Sequence, residues 1–406
     1  MNKASSTCCA VSLVTDRLSI GMLGAYGNTW VDTPCFDALA FESCLFDQAI
    51  LASPTVHGLY DSVWLGRQVG NSDSHNQPLP ELLAAAGLET LLVTDEADVV
   101  AHGAAETFGQ IVVVDSAHES PHNGAIEDTC LGRFFATASA QISEIEVPTV
   151  IWLHTRGMAA PWDAPLEMRR RYAAEEDPEP PTWRKVPRGQ IDSQSDPDEL
   201  LGVMQAYAGQ VALWDTCLGV LSDAISDNPI LHNALFSVMS SRGFPLGEHG
   251  RIGSGLQEED EDELYSELLN VPWLCRIPGQ ATAVRSRSLL QPVDLYELLK
   301  RWSNGTSVGA PGREFGLTSE GHAREFTLTQ AKSGAWALRT PAWLLRSDAT
   351  GEVYKELYLK PDDRWEVNNV ADSCHEVVEQ LAHIYDEAIH GKQVSPLNEV
   401  LLYGVT

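Results

Sequence analysis

Leu23-Gly24-Ala25-Tyr26-Gly27-Asn28 lies between a short apolar run and a proline-led helix start. Its two glycines, closely spaced around a tyrosine, mark a backbone turned tightly on itself, because glycine tolerates turn geometry that other residues resist. Ahead of it, Ala10 to Val14 is apolar throughout and closes at Thr15-Asp16, as a central strand of a parallel sheet does. Behind it, Thr33-Pro34-Cys35-Phe36-Asp37-Ala38-Leu39-Ala40 places proline where a helix begins. Strand, tight turn and helix in that order direct the chain towards an α/β architecture.

The remainder of the chain repeats that alternation. Pro78 to Gly87 reads as an amphipathic helix, with Leu79, Leu82, Leu83 and Ala86 on one face and Gly87 closing it. Strands follow at Thr90 to Thr94, Gln110 to Asp115 and Pro148 to His154. Leu200 to Ile225 is a long helical pattern that buries Met204, Val211, Leu218 and Leu221, and Ala234 to Met239 is the next strand. The expected fold is a large, mostly parallel sheet covered by helices on both faces. Ala173 to Asp198 is rich in Pro, Glu and Asp without periodicity and reads as an exposed excursion. Asn304 to Gly321, rich in Gly, Ser and Pro, reads as a link to a smaller C-terminal unit.

At 406 residues, 44% of them hydrophobic, the chain can bury a substantial core. A formal net charge of −30 excludes nucleic acid and anionic membrane as expected partners, since both would be repelled over most of the surface. Met1 to Ser12 does not read as a secretory signal, and no run is long and apolar enough for a membrane span, so a cytoplasmic protein is expected. None of the eight cysteines forms a C-x-x-C pair, so buried free thiols are expected rather than a zinc site. The acidic run Gln257 to Glu263 lacks the spaced ligands and glycine of a calcium loop and reads as a solvated segment.

The opening words resemble those of the sulfatases, a branch of the alkaline-phosphatase-like superfamily: an L-G-x-Y-G-N turn followed by T-P-x-x-D-x-L-A. Further on, Arg339-Thr340-Pro341-Ala342-Trp343 is similar to the family's R-T-x-x-(W/Y)-K-L strand. Glu356-Leu357-Tyr358, with Asp362 and Glu366-Val367-Asn368-Asn369, resembles its E-L-Y-D-L…D-P-x-E-x-x-N-L ending, and a terminal helix follows over about Ser373 to Ala388. The resemblance spans nearly the whole chain. It implies an alkaline-phosphatase-like α/β domain over residues 1–320, with 173–198 as the excursion, and a small C-terminal sheet-plus-helix subdomain over 321–406.

A sulfatase needs a divalent cation among carboxylates, a formylglycine made from the Cys or Ser of C/S-x-P-x-R, and basic residues that hold the ester. The resemblance implies that most of these are replaced here. The first metal strand, which ends in Asp-Asp or Asp-Gln, ends here in Asp16-Arg17. The second cluster, S-D-H-G-x-x-x-G-x-H-G, reads Ser240-Ser241-Arg242-Gly243-Phe244-Pro245-Leu246-Gly247-Glu248-His249-Gly250. Asp16 alone remains as a metal ligand, and one carboxylate facing two arginines is insufficient. In Ala52-Ser53-Pro54-Thr55-Val56, Ala52 stands where the nucleophile belongs and Val56 where its arginine belongs. Ser53 and Thr55 are the remaining hydroxyl candidates, with turn residues as the plainer reading. Where G-K-W-H would follow, the chain has Asp95 and Glu96; where P-H-x-P would follow, it has His154 upstream of Thr155-Arg156-Gly157. The lysine expected near Ser254 is also missing.

Three functions are consistent with this pattern. The first is a non-catalytic homologue, a pseudoenzyme whose Arg17, Arg242, Asp16, Ser241 and His249 could form an anion-binding pocket for a sulfated or phosphorylated small molecule, with no cofactor. The second is a sulfuric or phosphoric ester hydrolase with an altered site, which alone would call for Ca or Mg. The third is a structural partner, as a homo-oligomer or beside an active paralogue. If the family geometry holds, Arg17 or Arg242 is expected to pair with Asp16, since a lone buried carboxylate would otherwise be costly.

Overall fold

The computed structural model describes residues 8–70, 76–115, 124–253, 264–305, 323–349, 355–392 and 394–404. The acidic run 257–263 and most of the 304–321 link lie outside the described residues.

An eight-stranded sheet organises the chain. In chain order its strands are β1 (Ala10–Thr15), β2 (Cys44–Ala49), β3 (Glu89–Thr94), β4 (Gln110–Val113) and β5 (Thr149–Thr155). A two-residue strand, β6 (Gly189–Gln190), pairs with β8 (Arg251–Ile252) in a separate ribbon. β7 (Leu235–Ser240), β9 (Trp273–Arg276) and β10 (Val284–Leu290) complete the large sheet, ordered β10-β2-β9-β7-β1-β5-β3-β4. Every pairing in it is parallel except the two that β9 makes, with β2 and β7. The mostly parallel sheet expected from the sequence is therefore present. β2, β9 and β10 were not anticipated: β2 and β10 carry polar residues amid their apolar ones, and β9 is only four residues long.

Side-chain alternation sends each central strand into two cores. Val11 and Leu13 of β1, with Ile151 and Leu153 of β5, face the helices Cys130–Ser143 and Pro197–Asp227. Ala10 and Val14, with Val150 and Trp152, face Val56–Leu65, Leu79–Ala85 and Val293–Ser303. All six β1 residues are buried, and each fully buried valine or leucine contributes about 1.5–3 kcal/mol. The 31-residue helix Pro197–Asp227 starts earlier than its apolar pattern because Asp196 caps it and Pro197 opens it. The 173–198 excursion is largely exposed but anchored. Arg169 donates to the carbonyls of Pro181, Trp183 and Trp162, and Trp183 lies against Trp162.

The C-terminal residues form an antiparallel sheet of β11 (Thr327–Gln330), β12 (Trp336–Arg339), β13 (Trp343–Ser347) and β14 (Lys355–Leu359). Leu338, Leu345 and Leu357 on one face pack with Leu381 and Ile384 of the helix His375–Ile389. Ala337, Leu344 and Tyr358 on the other face join the second core of the large sheet. Hydrogen bonds complete the joint: Gln330 N–H donates to the Ala52 carbonyl, and the Thr329 side-chain Oγ1 to the Leu51 carbonyl. Among the described residues, no helix is long and apolar enough to cross a membrane.

Candidate functional site

β1, β5 and β7 run parallel and in register, with Thr15 beside both Thr155 and Ser240. Their carboxyl ends are thus level, and the residues that follow share one crevice, where open α/β sheets place their ligands. Asp16 N–H donates to the Thr155 carbonyl and Ser241 N–H to the Thr15 carbonyl, so the loops after β1 and β7 each start tied to the end of the neighbouring strand. Ser240 tightens the lock: its hydroxyl contacts the carbonyls of Thr15 and Arg242 and accepts from Leu18 N–H.

Asp16, Ser241 and Arg242 meet at this point. Arg242 grips the carboxylate with both ends of its fork, Nε on Oδ1 at 2.9 Å and Nη2 on Oδ2 at 3.1 Å. Ser241 Oγ donates to Oδ1 at 2.5 Å. Arg17 Nε lies 3.9 Å from Oδ2. Asp16 is 1%, Arg17 2% and Arg242 5% exposed, so the whole cluster is removed from water. Burial alone would raise the Asp16 carboxyl, but the Arg242 and Arg17 charges and the bonds from Arg242 and Ser241 hold it well below the usual carboxylate range. The ion pair expected from the sequence is formed, by Arg242.

Two devices hold this geometry. Arg17 is a non-glycine residue with φ of 61°, a strained conformation, and Tyr207 on the long helix donates to its carbonyl at 2.6 Å while accepting from Ser19 N–H at 2.8 Å. Gly157 has φ of 50°, and a Cβ there would lie 2.5 Å from Thr15 Cγ2 and 2.7 Å from the Asp16 carbonyl. Only a glycine lets the loop after β5 approach Asp16 so closely.

The family's divalent cation does not fit these residues. Among the described residues Asp16 is the single carboxylate of the cluster, both its oxygens are engaged, and a guanidinium occupies the space its ligand field would need. The expectation of an anion pocket meets the same packing. An entering sulfate would have to displace Asp16 from arginines that solvent barely touches. His249 makes its contacts in another network: Nδ1 on Glu267 at 2.7 Å, Nε2 on the Glu366 carbonyl at 3.2 Å, and its ring stacked on Tyr265.

Ala52 is buried and its carbonyl is held by Gln330, so the nucleophile position presents only a methyl group. Ser53 and Thr55 face each other at 3.1 Å, and Thr55 Oγ1 caps the helix Val56–Leu65 by accepting from Gly58 N–H. Val56 is the first residue of that helix and sits in the core. Both hydroxyls thus serve the turn.

Asp95 and Glu96 are turned to internal partners. Asp95 accepts from Arg156 N–H at 2.7 Å, and burial pushes its carboxyl up to about 7. Glu96 caps the helix Ala97–Val100 and pairs with Arg156 Nε at 3.4 Å. His154 is wholly buried, and Tyr60, which accepts from Trp152 Nε1, places its hydroxyl 2.6 Å from Nδ1. Burial lowers this imidazole to about 4, the Asp16 charge opposing and the Arg242 charge adding to the shift. Among the described residues its Nε2 has no hydrogen-bond partner. Tyr60, Tyr207 and Glu267 escaped the sequence reading, and Glu366 entered it only as part of the C-terminal motif, because buried hydrogen bonds between distant elements leave no local pattern. One further set, His57, Asp61 and His102, is brought together by the fold, and His57 and Asp61 could have been found from their one-turn helical spacing.

A sequence model of the family described as Sulfatase matches residues 10–304. Among solved structures, a 2-O GAG sulfatase is similar at 15% identity and a TM-score of 0.70, covering 94% of this chain and 92% of that one. A putative sulfatase from Bacteroides thetaiotaomicron is similar at 15% identity and a TM-score of 0.71, over 94% and 92% of the two chains. A phosphonate monoester hydrolase of Agrobacterium radiobacter is similar at 14% identity and a TM-score of 0.69, over 94% and 95%. At these identities the structural likeness concerns the fold. No curated protein matches the chain.

Proposed function

The chain belongs to the sulfatase family, and on that premise we propose that it is a non-catalytic member, a binding or regulatory protein on a hydrolase scaffold. The observation that carries this reading is the two-pronged seat of Arg242 on Asp16, with Ser241 on the same carboxylate. Where a sulfatase holds a cation to polarise the ester, this chain holds a fixed guanidinium already spent on its own carboxylate. Ala52 supports the same conclusion from the other side of the chemistry, since a methyl group can be neither oxidised to formylglycine nor deprotonated. His154, kept neutral by burial and tied to Tyr60, is in no position to supply a general acid to solvent-borne substrate.

The test is turnover of generic aryl sulfates, phosphate monoesters and phosphonate monoesters by the purified chain, with intact mass read in parallel. We expect a mass matching the unmodified sequence and no hydrolysis above that of Asp16→Ala. Hydrolysis that depends on an added divalent ion and disappears in Asp16→Ala contradicts the reading.

A further inference from the structure

His57 and Asp61 lie one turn apart on the helix Val56–Leu65, so their side chains share a face. His102 reaches that face from another segment, where it caps the short helix Gly103–Thr107. Its Nε2 is 3.6 Å from Asp61 Oδ1, and His57 Nε2 is 3.9 Å from Asp61 Oδ2. The two imidazoles contact each other with centroids 4.6 Å apart. One ligand atom from each of the three residues fits within 4.8 Å of the others. We propose that His57, Asp61 and His102 form a site for one divalent transition-metal ion, zinc being the class they suit best.

The donor set selects the metal. Two imidazole nitrogens with one carboxylate oxygen suit zinc and its neighbours, whereas calcium and magnesium want mostly oxygen. Three protein ligands leave a fourth position for water, and His57, with its side chain 59% exposed, provides the entry path. His102 is 2% exposed and ringed by Trp64 and Tyr60, so one ligand is fixed while the other two close upon it. Tetrahedral coordination with bonds of about 2.0–2.1 Å asks the ligand atoms to approach to ~3.3 Å. The exposed His57 ring and the Asp61 side chain, 27% exposed, can supply that movement by rotamer changes.

Two existing contacts compete. Arg67 Nη1 donates to Asp61 Oδ1 at 2.6 Å, but it is 46% exposed, and such surface pairs contribute only about 0–1 kcal/mol. His102 Nδ1 accepts from Ala104 N–H at 3.2 Å, which puts the neutral ring's proton on Nε2, towards Asp61. Coordination through Nε2 moves that proton to Nδ1 and gives up the Ala104 bond. Those costs place the affinity below that of a preformed structural zinc site. The site does not depend on Asp16 and stands or falls separately from the proposed loss of catalysis.

Calorimetric titration of the metal-stripped full chain with zinc chloride, with magnesium chloride as control, tests it. We expect one zinc ion per chain, no magnesium binding, and a thermal shift with zinc. His57→Ala and Asp61→Asn should each weaken zinc at least ~10-fold, whereas Arg67→Ala, which removes the competing cation, should tighten it. His57 is exposed, so its variant should keep the wild-type circular dichroism and melting temperature without metal. Absence of stoichiometric zinc, or zinc bound equally well by a folded His57→Ala, overturns the proposal.

Discussion

Arg242 lies on Asp16 through two nitrogens, at 2.9 and 3.1 Å, across a sequence separation that only the parallel pairing of β1 and β7 closes. The pair is fully desolvated, so its parts are not independent. A bidentate guanidinium and a serine hydroxyl compensate for the burial of the carboxylate, and the carboxylate compensates for the arginine.

Breaking that pair from either end should be costly. Asp16→Asn leaves two guanidiniums buried without their counter-charge, and Arg242→Ala leaves the carboxylate with Ser241 and the more distant Arg17. We expect each to lose about 3–5 kcal/mol, measured by urea unfolding. Asp16→Leu combined with Arg242→Met should lose much less than the sum of the two single losses, the signature of a coupled pair.

The pH response of the pair follows from its depressed carboxyl. A folded value below the unfolded one adds stability that is full above about pH 4 and is lost progressively below it, until pH has fallen through the folded value. The contribution of Asp16 should therefore be constant from neutral pH down to about 5.

Asp95 has the opposite sign. Its folded value of about 7 lies above the unfolded carboxylate range, so its contribution is full in acid and is lost as pH rises towards and past 7. Asp95→Asn, which can still accept from Arg156 N–H, should gain stability over wild type at pH 8 relative to pH 5. The gain should be on the order of a few kcal/mol at most. Parallel unfolding curves at the two pH values check it.

Gly157→Ala should destabilise by roughly 2 kcal/mol or more, since the added methyl meets Thr15 and the Asp16 backbone at a left-handed φ. A variant as stable as wild type would mean that the loop after β5 does not approach Asp16 so closely.

Thr55→Ala should lose about 1 kcal/mol through its helix cap, and it should hydrolyse aryl sulfates no differently from wild type. Ala52→Cys alone should remain unmodified and inactive, because Val56 and Arg242 still stand where the chemistry needs an arginine and a metal ligand.

Much of this was legible in the chain. Apolar runs ending in Thr15-Asp16 and Ser240-Ser241 mark strands whose ends converge once the sheet is parallel, and the frame around them pointed to Arg17 or Arg242 as the partner of Asp16, a choice that only the structure makes. Local chemistry also marked Thr55 as a turn residue. Long-range geometry was not legible. Tyr207 reaches Arg17 from the long helix, Tyr60 reaches His154 across two elements, and His249 turns to Glu366 near the chain end. The burial of Arg17 and Arg242, on which access of any anion to them depends, is likewise not written in the sequence.

The most direct measurement is anomalous X-ray scattering from crystals of this chain soaked in millimolar manganese, a stand-in for the family's divalent ion. We expect no peak within bonding distance of the Asp16 carboxylate, with Arg242 still seated on both its oxygens. A manganese peak bound to Asp16, with the Arg242 guanidinium displaced, would contradict the central claim that an internal cation has taken the place of the metal.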